Sequence, residues 1–576
     1  MADAVRGRLR FILGVFGVLT GLILIRLVSL QFGSAVAYFE HKYEQATSYR
    51  VEIQSPRGRI FDQHGELLAT NGVQYAVGAS PDVVTNADEL AQTLQTVLGV
   101  DLAEVHTLLA QRDEKGELLP YVSIKRPVSA ELGDKLIAMR DDPKGPNLSG
   151  LIVEPVQTRV YPAGRLAANV LGFVGYDNKG YYGVEEFYND ILAGHSVVGI
   201  KQVVPFDVAL NPTPDQGADL YLTLDRDIQF LAEQTLAGAT QRYGAEGGTI
   251  IVMEPKTGRI LAMAVTPSFD PNNFLNEPDA ARTNAAISSQ FEPGSGFKVL
   301  TMAAALQAGV VTPESTYLDT GYIEVGGVGV TNWNQAAWGP QDMTGLLQHS
   351  LNVGAAWLST NMGPQTFYSY MTAFGIGQGT NVDLSGEASG RLKRPGDSDW
   401  YESDLGTNAF GQGVATTPIQ LLTATSAVAN GGAMMQPHLL EQVVDKDTAH
   451  TTQPQVLGRP ISADVANMLS VMLATSVERE ASAALVPGYR IAGKTGTAQI
   501  PIPGGYDKTK TITTFVGWGP IDDPRFIVLV KLDKPSASIW GSETAAPAFG
   551  ELAKRLVVLM EIPPDEVRQK ITAAGQ

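Results

Sequence analysis

One apolar run dominates the hydrophobic pattern of the chain. It extends from Phe11 to Phe32 and reads FILGVFGVLTGLILI, then Arg26, then LVSLQF. About 22 helical residues rise roughly 33 Å, enough to cross the hydrocarbon of a bilayer. Arg6, Arg8 and Arg10 precede the run. The positive-inside rule therefore puts residues 1–10 in the cytoplasm and everything beyond Phe32 outside. Arg26, near the outer end, is expected to snorkel to the interface. Ala35-Val36-Ala37 has the small-residue form of a signal cleavage site, but the apolar segment is long for a signal core. The sequence reads as an uncleaved single-pass anchor over residues 11–32.

Two textures follow. Residues 33–222 alternate short strand patterns with turns: His64-Gly65 predicts a turn between two strands, and Ala87–Leu98 has helical spacing. No metal cluster or nucleophile–base pair stands out there, so its expected role is that of a spacer or docking surface. From 223 to 576 the pattern is mixed. Thr249–Met253 and Arg259–Val265 read as strands around the turn Pro255-Lys256-Thr257-Gly258. A helix is predicted from Ser295 to Ala308 and stopped by Gly309, with Leu300, Ala303, Ala304 and Ala308 as its packing face. Thr513–Trp518 and Arg525–Leu532 read as a hairpin, and Phe549, Leu552, Leu556 and Leu559 mark an amphipathic final helix. Helices packed on an antiparallel sheet make this an α+β domain.

Composition narrows the function. With 42 Lys+Arg against 60 Asp+Glu, the net charge of −18 opposes non-specific nucleic-acid binding. The absence of cysteine removes disulfides, thiolate metal sites and a cysteine nucleophile.

Ser295-Gly296-Phe297-Lys298 is an S-x-x-K that opens the predicted helix. Residues three apart share a helix face, so the amine reaches the hydroxyl. A lysine becomes a base for serine only when burial or a second cation lowers its pKa. Lys494-Thr495-Gly496-Thr497, in the predicted strand Ala492–Gln499, supplies that cation and hydroxyls for a carboxylate; Gly493 and Gly496 are expected to let a ligand approach the backbone. Lys256-Thr257-Gly258 is a rival K-T-G, read as a tight turn. Ser350-Leu351-Asn352 follows a predicted helix Met343–His349, where Ser350 is expected to cap the next helix and still project into a cleft. Its rival is Ser359-Thr360-Asn361. The seven histidines are read as structural or solvated.

In the order S-x-x-K, S-x-N, K-T-G, the set resembles that of penicillin-binding proteins and class A β-lactamases. With its anchor, the whole chain resembles a class B penicillin-binding protein. Pro56–Ala69 is similar to the family's R-G-x-I-x-D-R-N-G-x-x-L-A, with Gln63-His64 in place of Arg-Asn. Arg159-x-Tyr161-Pro162 and Gly183-Val184-Glu185 resemble its pedestal. Phe291–Ser295 resembles its nucleophile box, with Gly296 where Thr is usual, and Phe410-Gly411-Gln412-Gly413 with Pro418-Ile419-Gln420-Leu421 resembles its F-G-Q-G…T-P-x-Q segment.

The resemblance implies a peptidoglycan D,D-transpeptidase of division or elongation, without metal or cofactor. Ser295 would be the nucleophile, Lys298 the base and Ser350 the proton relay. Asn352 and Thr497 would orient the donor peptide, Lys494 and Thr495 its carboxylate, and the N–H groups of Ser295 and Thr497 would form the oxyanion hole. β-Lactams would acylate Ser295. A polytopic lipid II-polymerising glycosyltransferase would be the membrane partner.

Rival functions fit less well. Pro293 breaks a G-x-S-x-G, and no E-x-x-L-N-type segment offers the deacylating base of a β-lactamase. Residues 33–222 lack the E-D-x-x-F box of a glycosyltransferase, and a tail of ten residues is too short for a sensor's intracellular machinery. A catalytically dead scaffold is countered by intact Ser295, Lys298 and Lys494.

Overall fold

The computed structural model describes residues 2–32, 48–53, 55–202 and 214–574. The Ala35-Val36-Ala37 segment lies outside them. The chain divides into two compact units, Met1–Pro56 with Gly194–Gly217, and Arg57–Ala193 with Ala218–Gln576.

In the first unit, helix α1 (Ala2–Phe32) carries the apolar run. Its stretch Val5–Ser29 is long and apolar enough to cross a membrane, with a mean hydropathy of 2.5. Phe11 and Ile25 are 74% and 68% exposed, so the helix offers its apolar surface outward as a lipid-facing span does. Strand β1 (Ser48–Ile53) pairs antiparallel with residues 197–202, Ser48 opposite Gln202.

The second unit opens with the expected hairpin of β2 (Ile60–Phe61) and β3 (Leu67–Ala79). Asp62 ties its turn, one carboxylate oxygen accepting the N–H groups of His64 and Glu66 at 2.8 Å each. Helix α2 (Ala87–Leu98) occupies the residues its periodicity predicted. Asn86 caps its start, Gly99 closes it at φ 68°, and Leu90 and Leu94 enter a small core with Val77 and Val153. Strands β4 (Val122–Val128) and β5 (Leu151–Val160) flank β3.

The three pedestal segments singled out by sequence meet in one buried cluster. Glu185 receives Arg57 Nε at 2.7 Å and Arg159 Nε at 2.6 Å; the three side chains are 0%, 2% and 2% exposed. Tyr161 donates to the same carboxylate at 3.3 Å, and Arg159 Nη1 donates to the Gly58 carbonyl at 2.7 Å. The departures from the family pattern also have partners. Gln63 Nε2 donates to Asp225 at 2.7 Å and His64 Nε2 lies 3.1 Å from the same oxygen.

After β6 (Val197–Gln202) and β7 (Asp219–Leu222), helix α3 (Arg226–Tyr243) starts at its Asp225 cap. Strands β8 (Gly247–Met253) and β9 (Ile260–Thr266) follow, then helix α4 (Lys298–Gln307), α5 (Met343–Gln348), α6 (Asn352–Ala373) and α7 (Pro418–Ala429). The T-P-x-Q segment is a helix start: Thr417 accepts the Gln420 N–H and Pro418 takes the first turn. Next come β10 (Leu440–Asp445), β11 (Thr448–Thr451), α8 (Ala463–Glu480), β12 (Ala492–Ile502), β13 (Gly505–Gly519), β14 (Phe526–Asp533) and α9 (Ala545–Leu559).

Among the described residues two sheets dominate. The antiparallel sheet β9-β8-β14-β13-β12 has helices on both faces. Along β8, Ile250 and Val252 pack toward α3 and α9, while Ile251 and Met253 pack toward α4 and α7. The period of two thus serves two cores, and all seven residues of β8 are buried. The second sheet runs β11-β10-β7-β2-β3-β4, with β5 also on β3.

Two helix expectations need correction. The α-helix starts at Lys298, because Gly294–Phe297 is a 3-10 turn, and α4 is buried on nearly every side, not on one face. Ala308 falls past its end. In α9, Phe549, Leu552 and Leu556 are fully buried, but Leu559 is 45% exposed at the last turn.

Candidate active site

The predicted residues from three remote stretches converge on a cleft of about 330 Å³. Ser295, Ser350, Asn352, Thr495 and Thr497 line it. Lys298, the first residue of α4, is 1% exposed. Its Nζ lies 3.0 Å from Ser295 Oγ, 3.2 Å from Ser350 Oγ, 2.6 Å from the Ser350 carbonyl and 2.8 Å from Asn352 Oδ1. Burial, then the nearby Lys494 ammonium, holds the Lys298 amine well below the usual lysine range. Lys494 is itself 4% exposed; burial lowers it to about 8, against a raising influence from Glu480.

Strand β12 is the edge of its sheet. Alternation sends Thr495 and Thr497 to the cleft while Lys494 and Gly496 are buried. Gly496 lets protein, not ligand, approach: an added Cβ would sit 2.2 Å from Thr514 Oγ1 and 3.0 Å from the Pro293 carbonyl. Gly493 likewise faces the Phe515 ring, 2.6 Å from an added Cβ. The serine turn docks on this strand, with Gly294 (φ 53°) facing the Thr497 carbonyl at 2.8 Å from an added Cβ. Gly411 packs on the turn's other side, and its carbonyl accepts the Gly294 N–H at 3.2 Å. These contacts explain the glycines of both boxes. Thr497 Oγ1 accepts the Gly541 N–H at 3.0 Å.

Ser350 does not cap α6. Leu351 holds the cap position, and Ser350 adopts a left-handed backbone, φ 54°. That geometry turns both its carbonyl and its hydroxyl to Lys298. Asn352 Nδ2 donates to the Thr331 carbonyl at 3.2 Å.

The rival motifs lie elsewhere. Lys256 pairs with Asp523 on the surface turn between β8 and β9, where Gly258 has φ 82°. Ser359 is buried inside α6, donating to the Ala356 and Leu405 carbonyls.

Sequence reasoning missed part of the cleft wall. Trp333 and Trp540 meet edge to face at 5.3 Å, and His349 stacks on Trp338 at 4.2 Å. His349 Nδ1 lies 3.2 Å from Glu480 Oε1, so this histidine belongs to the cleft and is not merely a solvated residue. Phe410 and Gln412 also line it, and only these two sat in a recognised segment.

Residues 248–554 match the penicillin binding protein transpeptidase domain, and residues 52–205 the penicillin-binding protein dimerisation domain. The chain belongs to the class B penicillin-binding proteins. Within this family it is 32% identical to the stage V sporulation protein D of Bacillus subtilis, over 97% of this chain and 87% of that protein. It is 30% identical to the peptidoglycan D,D-transpeptidase FtsI of Escherichia coli, over 90% and 86% of the two chains. The crystal structure of penicillin-binding protein 3 of Mycobacterium tuberculosis, complexed with aztreonam, superposes with a TM-score of 0.69 at 28% identity, covering 89% of this chain and 98% of that one.

Proposed function

We propose that this chain is a serine-type peptidoglycan D,D-transpeptidase that cross-links stem peptides and is acylated by β-lactams. The observation that carries the reading is the set of four oxygens around Lys298. Two of them, the Ser350 carbonyl and Asn352 Oδ1, can only accept. They take the two N–H groups of a neutral amine, which leaves its lone pair to accept from one of the two hydroxyls at a time. Such an amine is a base.

In this reading Lys298 takes the proton of Ser295 Oγ as that oxygen bonds to the penultimate D-alanine carbonyl. The N–H groups of Ser295 and Thr497 receive the oxyanion; single donors of this kind contribute about 2.7–4 kcal/mol in acyl-transfer sites. The proton passes through Ser350 Oγ to the leaving nitrogen, the C–N bond breaks and D-alanine departs. An amine of a second strand then displaces Ser295, which regains its proton. Asn352 and Thr497 orient the donor; Lys494 and Thr495 form its carboxylate subsite, and Gly496 lets the strand that carries them pack on the serine turn.

The organisation proposed with it is a cytoplasmic tail (1–10), a transmembrane helix (11–32), a pedestal (33–222) and an extracytoplasmic transpeptidase domain (223–576). A polytopic lipid II-polymerising glycosyltransferase is the expected membrane partner. Labelling by fluorescent penicillin tests the chemistry: wild type is labelled and Ser295→Ala is not. Equal labelling of both removes Ser295 as nucleophile. The cysteine-free chain makes orientation simple to test. An impermeant maleimide on intact cells should label Thr96→Cys and spare Asp3→Cys.

A further inference from the structure

Glu480 is the last residue of α8, where the helix dipole disfavours a carboxylate. A residue that defies its local preference calls for another explanation. Its surroundings supply one. Helix α8 packs against both α5, which ends two residues before Ser350, and β12, which carries Lys494. Glu480 Oε1 lies 3.2 Å from His349 Nδ1 and accepts from Gln348 Nε2 at 3.2 Å, gripping the two residues immediately before Ser350. The His349 ring is stacked on Trp338, and the His349 carbonyl accepts from Trp333 Nε1 at 3.2 Å.

We propose that Glu480 is a positioning residue for the transpeptidase reaction, holding the two residues before Ser350 and placing one negative charge on the Lys494 side of the two buried lysines. The inference rests on the catalytic reading of the cleft given above. Lys298 works as a neutral base and Lys494 as a cation. Two adjacent buried amines do not settle that division alone, since desolvation pushes both toward neutrality. A carboxylate on the Lys494 side favours the charge there, and the Lys494 charge in turn keeps Lys298 neutral. The groups facing this arrangement are Lys298 from α4, His349 with Gln348 from the end of α5, and Arg479 of α8, whose Nη1 donates to Gln348 at 3.1 Å. Glu478 is turned away to Arg490 at 2.9 Å.

The test is the rate of acylation of the detergent-solubilised full chain by a fluorescent penicillin, from about pH 6 to 10. Glu480→Gln keeps a carbonyl acceptor for Gln348 and removes the charge. The bell should narrow from its alkaline side, because Lys494 loses its proton sooner, while the acid limb, set by Lys298 with Lys494 charged in both proteins, should not move up. The alkaline limb should move by roughly half a pH unit, as suits a half-exposed carboxylate. Glu480→Ala should narrow the bell in the same way and also lower its maximum, because the grip on the Ser350 turn is lost. A purely structural Glu480 predicts an unmoved profile in Glu480→Gln whatever its Tm, and that result overturns the inference alone. Wild-type chain that takes up no penicillin overturns the catalytic reading of the cleft and this inference with it.

Discussion

Ser350 gives Lys298 two oxygens at once, its carbonyl at 2.6 Å and its hydroxyl at 3.2 Å. Only its left-handed backbone makes this possible, a conformation that costs a non-glycine residue about 1–2 kcal/mol. Ser350→Ala keeps the carbonyl contact and loses the relay. Acylation by penicillin should fall by about 10²–10⁴-fold, the range of general acid–base contributions. Ser350→Gly should lose as much activity while melting no lower than Ser350→Ala, because glycine adopts this backbone freely. Stopped-flow acylation and thermal melts read the two effects separately.

Lys494 charges the protein's stability with a pH dependence. Its folded pKa of about 8 lies below the ordinary lysine value. At and below pH 8 the unfolded chain therefore binds the proton more tightly, and folding is penalised. The penalty is relieved as pH rises from about 8 toward the unfolded value near 10.4, so stability should rise across that window from this group. Lys494→Met should flatten the rise and abolish acylation. Denaturation midpoints at a series of pH values would reveal it; a slope equal to that of wild type would contradict the burial-driven shift.

The Arg57–Glu185–Arg159 cluster should be costly to break. Removing one member of a buried ion pair costs about 3–5 kcal/mol because the partners stay desolvated. Glu185→Ala leaves two buried guanidiniums facing each other, so Tm should fall sharply. Leaving Tm unchanged would mean that the cluster is hydrated in solution.

Two neighbouring glycines should respond in opposite ways. Gly296, inside the serine turn, has only ordinary contacts for an added Cβ, at 3.8 and 3.9 Å. Gly296→Ala should stabilise by about 0.4–1 kcal/mol by restricting the unfolded chain. Gly294 has φ 53° and would press a Cβ to 2.8 Å from the Thr497 carbonyl. Gly294→Ala should lower both Tm and acylation, as the serine turn is lifted from β12.

Much of this was legible in the residue order, for identifiable reasons. Apolar periodicity located α2, the His64-Gly65 turn located the β2–β3 hairpin, and spacing on one helical face paired Ser295 with Lys298. What escaped was non-local. Nothing near residue 480 signals that a helix-terminal glutamate meets His349, because that contact exists only once α8 lies on α5. Serine's preference for caps points Ser350 to that position; tertiary contacts with Lys298 hold it in another conformation. The role of Glu185 needed Arg57 and Arg159 from distant segments of the chain. The extra pairing of β10 and β11 with the pedestal sheet carried no local mark at all.

That last pairing orders events during synthesis. Strand β7 lies beside β2 in parallel, but its other edge is covered by β10, more than two hundred residues later in the chain. While the protein emerges, Asp219–Leu222 therefore presents bare amides to any passing strand, and closing so long a loop is slow. The sheet is sealed only after most of the catalytic half has been made, so a chain truncated before residue 440 should be prone to aggregate even though every pedestal residue is present.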